Sequence, residues 1–173
     1  MFKSLFGRKE KPTAPTGPDD LLVVEQTLET PIDNAFEMFV DRLGDWWPRE
    51  YTWAKDNLDE IGIDARVDGH CFERSKDGTV AIWGTVLTLG RPEHIVFTWQ
   101  INADRTPEPN VALASRVDVR FVSPTPETSK IVLVHRDFPR HGPGWKKYRG
   151  NMASKSGWPK LIDHYAKAVA SGP

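Results

Sequence analysis

The sequence has one cysteine, Cys71, in 173 residues. A single thiol excludes an internal disulfide framework and is typical of a reducing compartment, so we expect a cytoplasmic protein. No apolar run approaches the roughly 20 residues of a membrane-spanning helix, and the first residues lack the apolar core of a signal peptide. The charges nearly balance, at a net −1, which leaves no overall field to recruit nucleic acid or an anionic membrane.

The motifs of metal and nucleotide chemistry are also missing. The sequence contains no C-x-x-C or H-E-x-x-H pair and no closely spaced set of carboxylates and imidazoles. His70 and Cys71 are neighbours on a predicted strand, where adjacent side chains point to opposite faces, so they cannot share a metal ion without a bulge. G-x-S-x-G, P-loop and G-x-G-x-x-G signatures are absent. We therefore expect no metal site and no cofactor.

The chain length fits a single domain, for which we predict residues 21–170, preceded by a leader of a different composition. Residues 1–20 are rich in Lys, Pro, Thr, Gly and Asp and have little apolar periodicity, which predicts disorder. Phe2, Leu5 and Phe6 lie at helical spacing beside basic residues, and the alternative is a short membrane-surface anchor. Because an isolated helix of under two turns is marginal in water, we favour the disordered leader.

Helical spacing appears at both ends of the predicted domain. After a β-branched strand at residues 21–30, an apolar i, i+3, i+4, i+7 pattern follows Pro31 and predicts a helix that ends near Leu43 and Gly44. The same spacing near the C-terminus predicts a long helix, with Ser156 as its cap. Its apolar face comprises Trp158, Leu161, Ile162, Tyr165 and Val169.

The middle of the sequence predicts about six antiparallel strands joined by hairpin-type links such as Asp77-Gly78. One strand is predicted to continue through Val67. Another, near residues 94–101, places Trp99 on its apolar face and Gln100 on the opposite face. Strands and helices in this order predict an α+β domain.

Three segments of the chain resemble a known family. The chain resembles the bacterial activator-of-heat-shock-protein-ATPase (AHSA) homologues in residues 77–99, 117–138 and 157–165. The most specific feature of this resemblance is the spacing of Gly84, Pro92 and Trp99. The AHSA homologues are single-domain members of the START-like, or SRPBCC, superfamily. The resemblance implies the helix-grip fold of the birch pollen allergen, in which a curved antiparallel sheet wraps a long C-terminal helix and leaves a cavity between them.

The seven tryptophans are the main material for a site. In "GDWWP", Trp46 and Trp47 must diverge, so one is expected in the core and the other needs a second partner. The apolar faces and the implied cavity together predict a ligand-binding wall, for which simple core packing is the alternative. The wall comprises Trp47, Trp53, Trp83, Trp99, His135, Trp158 and Tyr165. Gln100 and Arg120 are further polar candidates, although they lie on the strand face predicted to point outward.

Three functions remain open on the sequence. The first is binding of a small hydrophobic or aromatic ligand in the central cavity. The second, implied by the resemblance, is a protein-interaction module that activates a chaperone ATPase, although the additional N-terminal domain of the eukaryotic activator is not matched here. The third is a cyclase or dehydratase, like the polyketide cyclases of the superfamily, with His135 as a general base near Tyr165 or Asp118. A structural histidine bonded to a loop carbonyl is the alternative role for His135.

Basic and aromatic residues alternate in residues 136–150. Such interleaving can bind single-stranded nucleic acid, but the balanced overall charge favours a solvated loop at the rim of the site. That rim would suit an anionic head group or an acidic protein partner.

Overall fold

The computed structural model describes residues 20–172. Seven strands form one antiparallel sheet in the order β1-β7-β6-β5-β4-β3-β2. The strands are β1 (Leu22–Leu28), β2 (Leu58–Ile63), β3 (His70–Ser75), β4 (Val80–Gly90), β5 (His94–Trp99), β6 (Ser115–Thr125) and β7 (Thr128–Arg136). The helices are α1 (Ile32–Val40), α2 (Trp145–Ala153) and α3 (Trp158–Ala170).

The sheet curls into a half-barrel around the C-terminal helix α3, as the helix-grip prediction requires. In β5, β6 and β7 the register aligns Phe97 with Val117 and His135, so these three side chains share the concave face. All three are almost fully buried. The apolar face of α3 packs toward the same interior, which confirms the predicted helical spacing. The predicted α+β class and fold are confirmed.

The first helix is shorter than predicted. It ends at Val40, and a separate turn at Leu43–Asp45 follows it. This turn lets the chain double back, so that the indole N–H of Trp46 donates to the carbonyl of Met38 at 3.0 Å. The early end of α1 therefore places Trp46 against the helix that precedes it.

Two further boundaries differ from the prediction. The strand predicted to run through Val67 ends at Ile63, and Val67 is 53% exposed because the backbone turns at residues 64–69. Gly157, and not Ser156, precedes the first turn of α3. A Cβ on residue 157 would lie 2.2 Å from the carbonyl oxygen of Met152, so only glycine fits between α2 and α3.

Helix α2 was not predicted, because its residues were assigned to a loop. Only Tyr148 and Met152 are buried in it, one i, i+4 pair in an otherwise polar segment. That is too little periodicity to indicate a helix from sequence. The basic residues of this segment thus lie on a helix and its preceding turn.

Residues 1–19 lie outside the described residues, so the disorder of the leader and the alternative of a membrane anchor remain predictions. The domain limits 21–170 and the cytoplasmic location remain predictions. Within residues 20–172, no helix is both long and apolar enough to cross a membrane.

Candidate functional site: an aromatic cleft

The two adjacent tryptophans face different parts of the interior. Trp46 is 3% exposed and packs its ring 5.1 Å from Phe39 and 5.3 Å from Tyr165. Trp47 is only partly buried, and its ring stacks on Trp83 at 5.4 Å with an interplanar angle of 27°. Trp46 therefore belongs to the core, while Trp47 meets the aromatic side chains of the sheet.

Trp47 joins a cluster of four indoles. Its ring centre lies 6.3 Å from that of Trp99 and 6.4 Å from that of Trp158. Trp99 is in turn 6.0 Å from Trp83 and 5.3 Å from Trp158. These rings fill much of the space between the sheet and α3, so the open volume is displaced toward one side of the cluster.

Two neighbouring cavities lie beside this cluster, and together we call them the cleft. The first has a volume of about 350 Å³ and the second about 210 Å³. Four residues line both cavities: Trp47, Tyr51, Ile101 and Arg105. Since the cavities share these walls, a ligand in one would contact residues of the other.

Residues 49–57, which we call the strap, close one side of the first cavity. Glu73 is 4% exposed, and its carboxylate accepts hydrogen bonds from the backbone N–H groups of Trp53 at 3.1 Å and Ala54 at 2.8 Å. The Trp53 indole donates to the carbonyl of Arg105 at 2.6 Å. The Tyr51 hydroxyl donates to the carbonyl of Ser156 at 2.7 Å. The strap is thus fastened to β3, to the loop after β5 and to the start of α3.

Glu73 was missed in the sequence, although a signal for it was present. It shares strand parity with Cys71, which is fully buried. Burial raises the pKa of the Cys71 thiol, so it stays neutral. A carboxylate on the inward face of a strand needs hydrogen-bond donors, and the strap supplies them.

The predicted ligand-binding residues separate into two groups. Trp47, Trp53 and Trp83 line the first cavity, and Trp47 and Trp99 line the second. The remaining three line neither cavity: His135, Trp158 and Tyr165. The Tyr165 hydroxyl donates to the carbonyl of Ala35 at 2.6 Å, and burial raises the pKa of this phenol.

His135 is fully buried, and both of its ring nitrogens have protein partners. Nδ1 accepts from the Trp158 indole N–H at 2.9 Å. Nε2 must then carry the proton, which it donates to Ser115 Oγ at 2.8 Å. Burial lowers the pKa of His135 well below its usual value, so the ring is neutral.

This environment differs from the expected one near Tyr165 or Asp118. Neither Tyr165 nor Asp118 contacts His135, because Tyr165 bonds to α1 and Asp118 lies 2.9 Å from His94 Nε2. The alternative role, a structural histidine bonded to a loop carbonyl, also differs from the structure, because the partners of His135 are the side chains of Ser115 and Trp158. These contacts hold the His135 ring in one orientation within the core, where both nitrogens are bonded to protein side chains.

The hydrogen bonds continue beyond His135. Ser115 Oγ donates to His141 Nε2 at 2.8 Å, and burial lowers the pKa of His141 to about 4. We call Trp158, His135, Ser115 and His141 the histidine relay. It fastens the first turn of α3 to strands β6 and β7 and to the turn at Phe138–His141.

The two further polar candidates lie away from the cleft. Gln100 is on the outer face, as predicted, but is only 4% exposed. Its amide donates to the carbonyl of Glu108 at 3.0 Å, because residues 102–114 fold over that face. Arg120 is also on the outer face, exposed, with its Nε 3.7 Å from Asp118. Neither side chain lines a cavity.

One polar atom in the wall of the first cavity has no partner. Trp83 is 2% exposed, and its indole Nε1 makes no hydrogen bond with residues 20–172. A buried donor without an acceptor costs about 1 to 3 kcal/mol. For metal ligation, residues 20–172 contain no group of three or more His, Cys, Asp or Glu side chains that could hold an ion.

Comparison with protein families gives one match. The profile described as "Activator of Hsp90 ATPase homolog 1-like protein" matches residues 29–170. No curated protein sequence matches the chain.

Several solved structures share the fold. The anthrahydroquino-γ-pyrone synthase Txn09 is 24% identical over 88% of this chain and 99% of its own, with a TM-score of 0.61. The self-sacrificing resistance protein CalC from Micromonospora echinospora is 23% identical over 89% of this chain and 97% of its own, with a TM-score of 0.64. A protein from Nitrosomonas europaea is 14% identical over 92% of this chain and 100% of its own, with a TM-score of 0.63. At these identities the likeness is one of fold.

Proposed function

This chain belongs to the family of Activator of Hsp90 ATPase homolog 1-like proteins, and we propose that it binds a small aromatic molecule in the cleft. The first cavity, at about 350 Å³, falls within the range of roughly 300 to 1,000 Å³ that is usual for small-molecule sites. Three indoles line it, from Trp47, Trp53 and Trp83. Flat, rigid walls of this kind favour a planar ligand.

The observation that carries this proposal is the unpartnered indole N–H of Trp83. A residue that served only as core would be expected to have its buried N–H bonded, as Trp46, Trp99 and Trp158 do. Trp83 instead lines the first cavity with its donor free. The nitrogen itself has almost no accessible surface, so a small shift of the neighbouring rings must accompany binding. A ligand with a carbonyl or hydroxyl oxygen would then satisfy this donor.

The fold relatives support a small-molecule function. Txn09 is named as a synthase and was solved in complex with a molecule called SUM. It shares the fold described here, and its name is that of a synthase for an anthrahydroquino-γ-pyrone. We take from it that a helix-grip domain can accommodate such a molecule.

Native mass spectrometry of freshly purified protein tests the proposal. We expect a non-covalent adduct, which an organic extract of the same sample would identify. Titration with a panel of aromatic ketones and phenols should quench tryptophan fluorescence in the wild type. Trp145→Phe is the control, because it removes an indole that lies on α2 and lines neither cavity. Quenching by the ligand should persist in this variant. A bare mass from several expression hosts, together with flat fluorescence across the panel, would refute ligand binding.

The family description favours a second candidate, activation of a chaperone ATPase. In that role the surface of the domain would contact the chaperone, and the cleft would be incidental. The test is the ATPase turnover of the chaperone with excess protein added. Unchanged turnover removes this candidate.

A further inference from the structure

Arg105 stands at the junction of the two cavities and lines both. It occupies the tip of a tight loop in which the N–H of Arg105 donates to the carbonyl of Asn102 at 2.8 Å. Its φ of 71° lies in the left-handed region, which is unfavourable by about 1 to 2 kcal/mol for a residue with a Cβ. The carbonyl of Arg105 accepts the hydrogen bond from Trp53. The backbone of this arginine is thus held in place at the mouth of the cleft.

The carboxylates close to Arg105 are already occupied. Asp104 accepts from the N–H of Thr106 at 3.1 Å and from its hydroxyl at 2.6 Å, and these bonds lower the pKa of Asp104. Glu73 accepts from the two amides of the strap. Glu50 pairs with Lys160 at 3.1 Å.

The Arg105 guanidinium, by contrast, has no hydrogen bond or ion pair with any side chain or carbonyl of residues 20–172. The other cation that lines the first cavity, Lys55, donates to the carbonyl of Glu50 at 3.0 Å. Lys55 keeps its charge, since a carbonyl is neutral, but its ammonium group already has a hydrogen-bond partner. Of these two cations, Arg105 is therefore the one whose side-chain donors are unused. Its planar fork matches the geometry of a carboxylate or a similar oxyanion.

We propose that the ligand of the cleft is an aromatic anion, with its ring against Trp47 and Trp83 and its negative group on Arg105. This inference rests on the proposed function and narrows it to one class of ligand. The anion must lie at the Arg105 end, because the buried Glu73 carboxylate would repel it near the strap.

Two ligands of nearly the same shape distinguish the contribution of the negative charge to affinity from that of the aromatic ring. Isothermal titration of the full chain with 2-naphthoate and with the neutral 2-naphthamide compares the two directly. For the wild type we expect 2-naphthoate to bind about tenfold more tightly, because an ionised acceptor roughly doubles the strength of a hydrogen bond. Arg105→Gln should bring the two affinities to within about twofold, since the amide keeps a donor but loses the charge. Circular dichroism confirms that the variant is folded.

Lys147→Gln is the control for general charge effects. Lys147 is exposed on α2 and lines neither cavity, so this variant should keep the preference for 2-naphthoate. Equal affinities in the wild type, or a preference that survives Arg105→Gln, would overturn the assignment of Arg105 while leaving aromatic binding intact. If neither compound binds, the anion assignment fails, and the wider ligand panel then decides the proposed function.

Discussion

The aromatic cluster has two ends that differ in whether a buried indole N–H has a partner, although the Nδ1 atom of His141 in the relay is also buried without one. At the relay end, Trp158 and His135 are fully buried and bonded to each other. At the cleft end, Trp83 has an unpartnered N–H and Trp53 is 37% exposed. Both ends contain the same residue types, so composition alone does not separate a structural indole from one that faces a ligand. The hydrogen-bond partners separate them.

The largest effect is expected at the relay end. Trp158→Ala should reduce the free energy of unfolding by about 3 to 5 kcal/mol, because it empties the core beside Trp99 and leaves His135 Nδ1 without its donor. Trp53→Ala removes a half-exposed ring and should cost less than about 1.5 kcal/mol. Urea denaturation of both variants measures the difference. Equal losses would mean that the two ends of the cluster do not differ in packing.

Acidification should also act through the relay. The folded-state pKa values of His135 and His141 lie below the value of about 6.5 expected in the unfolded chain. The unfolded state then binds more protons as the pH falls below 6.5, so stability is lost in that direction until about pH 4 for His141. At pH 5.5 the two rings together should cost about 3 kcal/mol relative to pH 7.5.

Urea denaturation across this pH range measures that loss. His141→Gln serves as the comparison, because it removes one titrating ring while keeping a polar side chain near Ser115. Its pH dependence should be about half as steep in the same window. A wild-type stability that stays flat from pH 7.5 to 5.5 would show that the relay histidines are accessible to protons in the folded protein.

A substitution that loosens the strap, at the cleft end, should have an intermediate effect on the free energy of unfolding. Glu73→Gln replaces one acceptor oxygen with a donor, so one of the two strap amides loses its partner. We expect a loss of about 1 to 2 kcal/mol in the free energy of unfolding. Amide hydrogen exchange should accelerate at Trp53 and Ala54 but not in α3. Unchanged exchange at these two amides would show that Glu73 does not fasten the strap.

Local patterns in the sequence were enough to predict the α+β class, and the resemblance to a known family supplied the helix-grip arrangement. The alternation that put Trp99 inward and the spacing that put Trp158 and Tyr165 on one helix face need only the periods of a strand and a helix. The helix α2 escaped prediction because Tyr148 and Met152 alone carry its buried face.

The sequence could not predict in the same way which tryptophans line the cleft and which belong to the core. Whether a tryptophan lines the cleft depends on contacts between distant segments, such as the bond from Trp53 to Arg105, 52 residues away. His135 likewise gained its partners from Ser115, 20 residues earlier, and Trp158, 23 residues later. A strand position shows that a side chain points inward, but only the assembled fold shows which atoms it meets there.

The smallest effect on stability, and the sharpest on function, is expected from Trp83→Phe. Phenylalanine leaves a smaller ring at a buried position, which destabilises, but it also removes an N–H that has no partner, which stabilises. Because the two effects oppose each other, the free energy of unfolding should change by less than about 1 kcal/mol. Affinity for an aromatic ketone should fall about fivefold, because one neutral hydrogen bond contributes about 1 kcal/mol. Affinity for the parent hydrocarbon should not fall, since that compound has no acceptor for the indole. Titration of both compounds against both proteins checks this, and an equal loss for ketone and hydrocarbon would mean that the Trp83 ring, and not its N–H, determines binding.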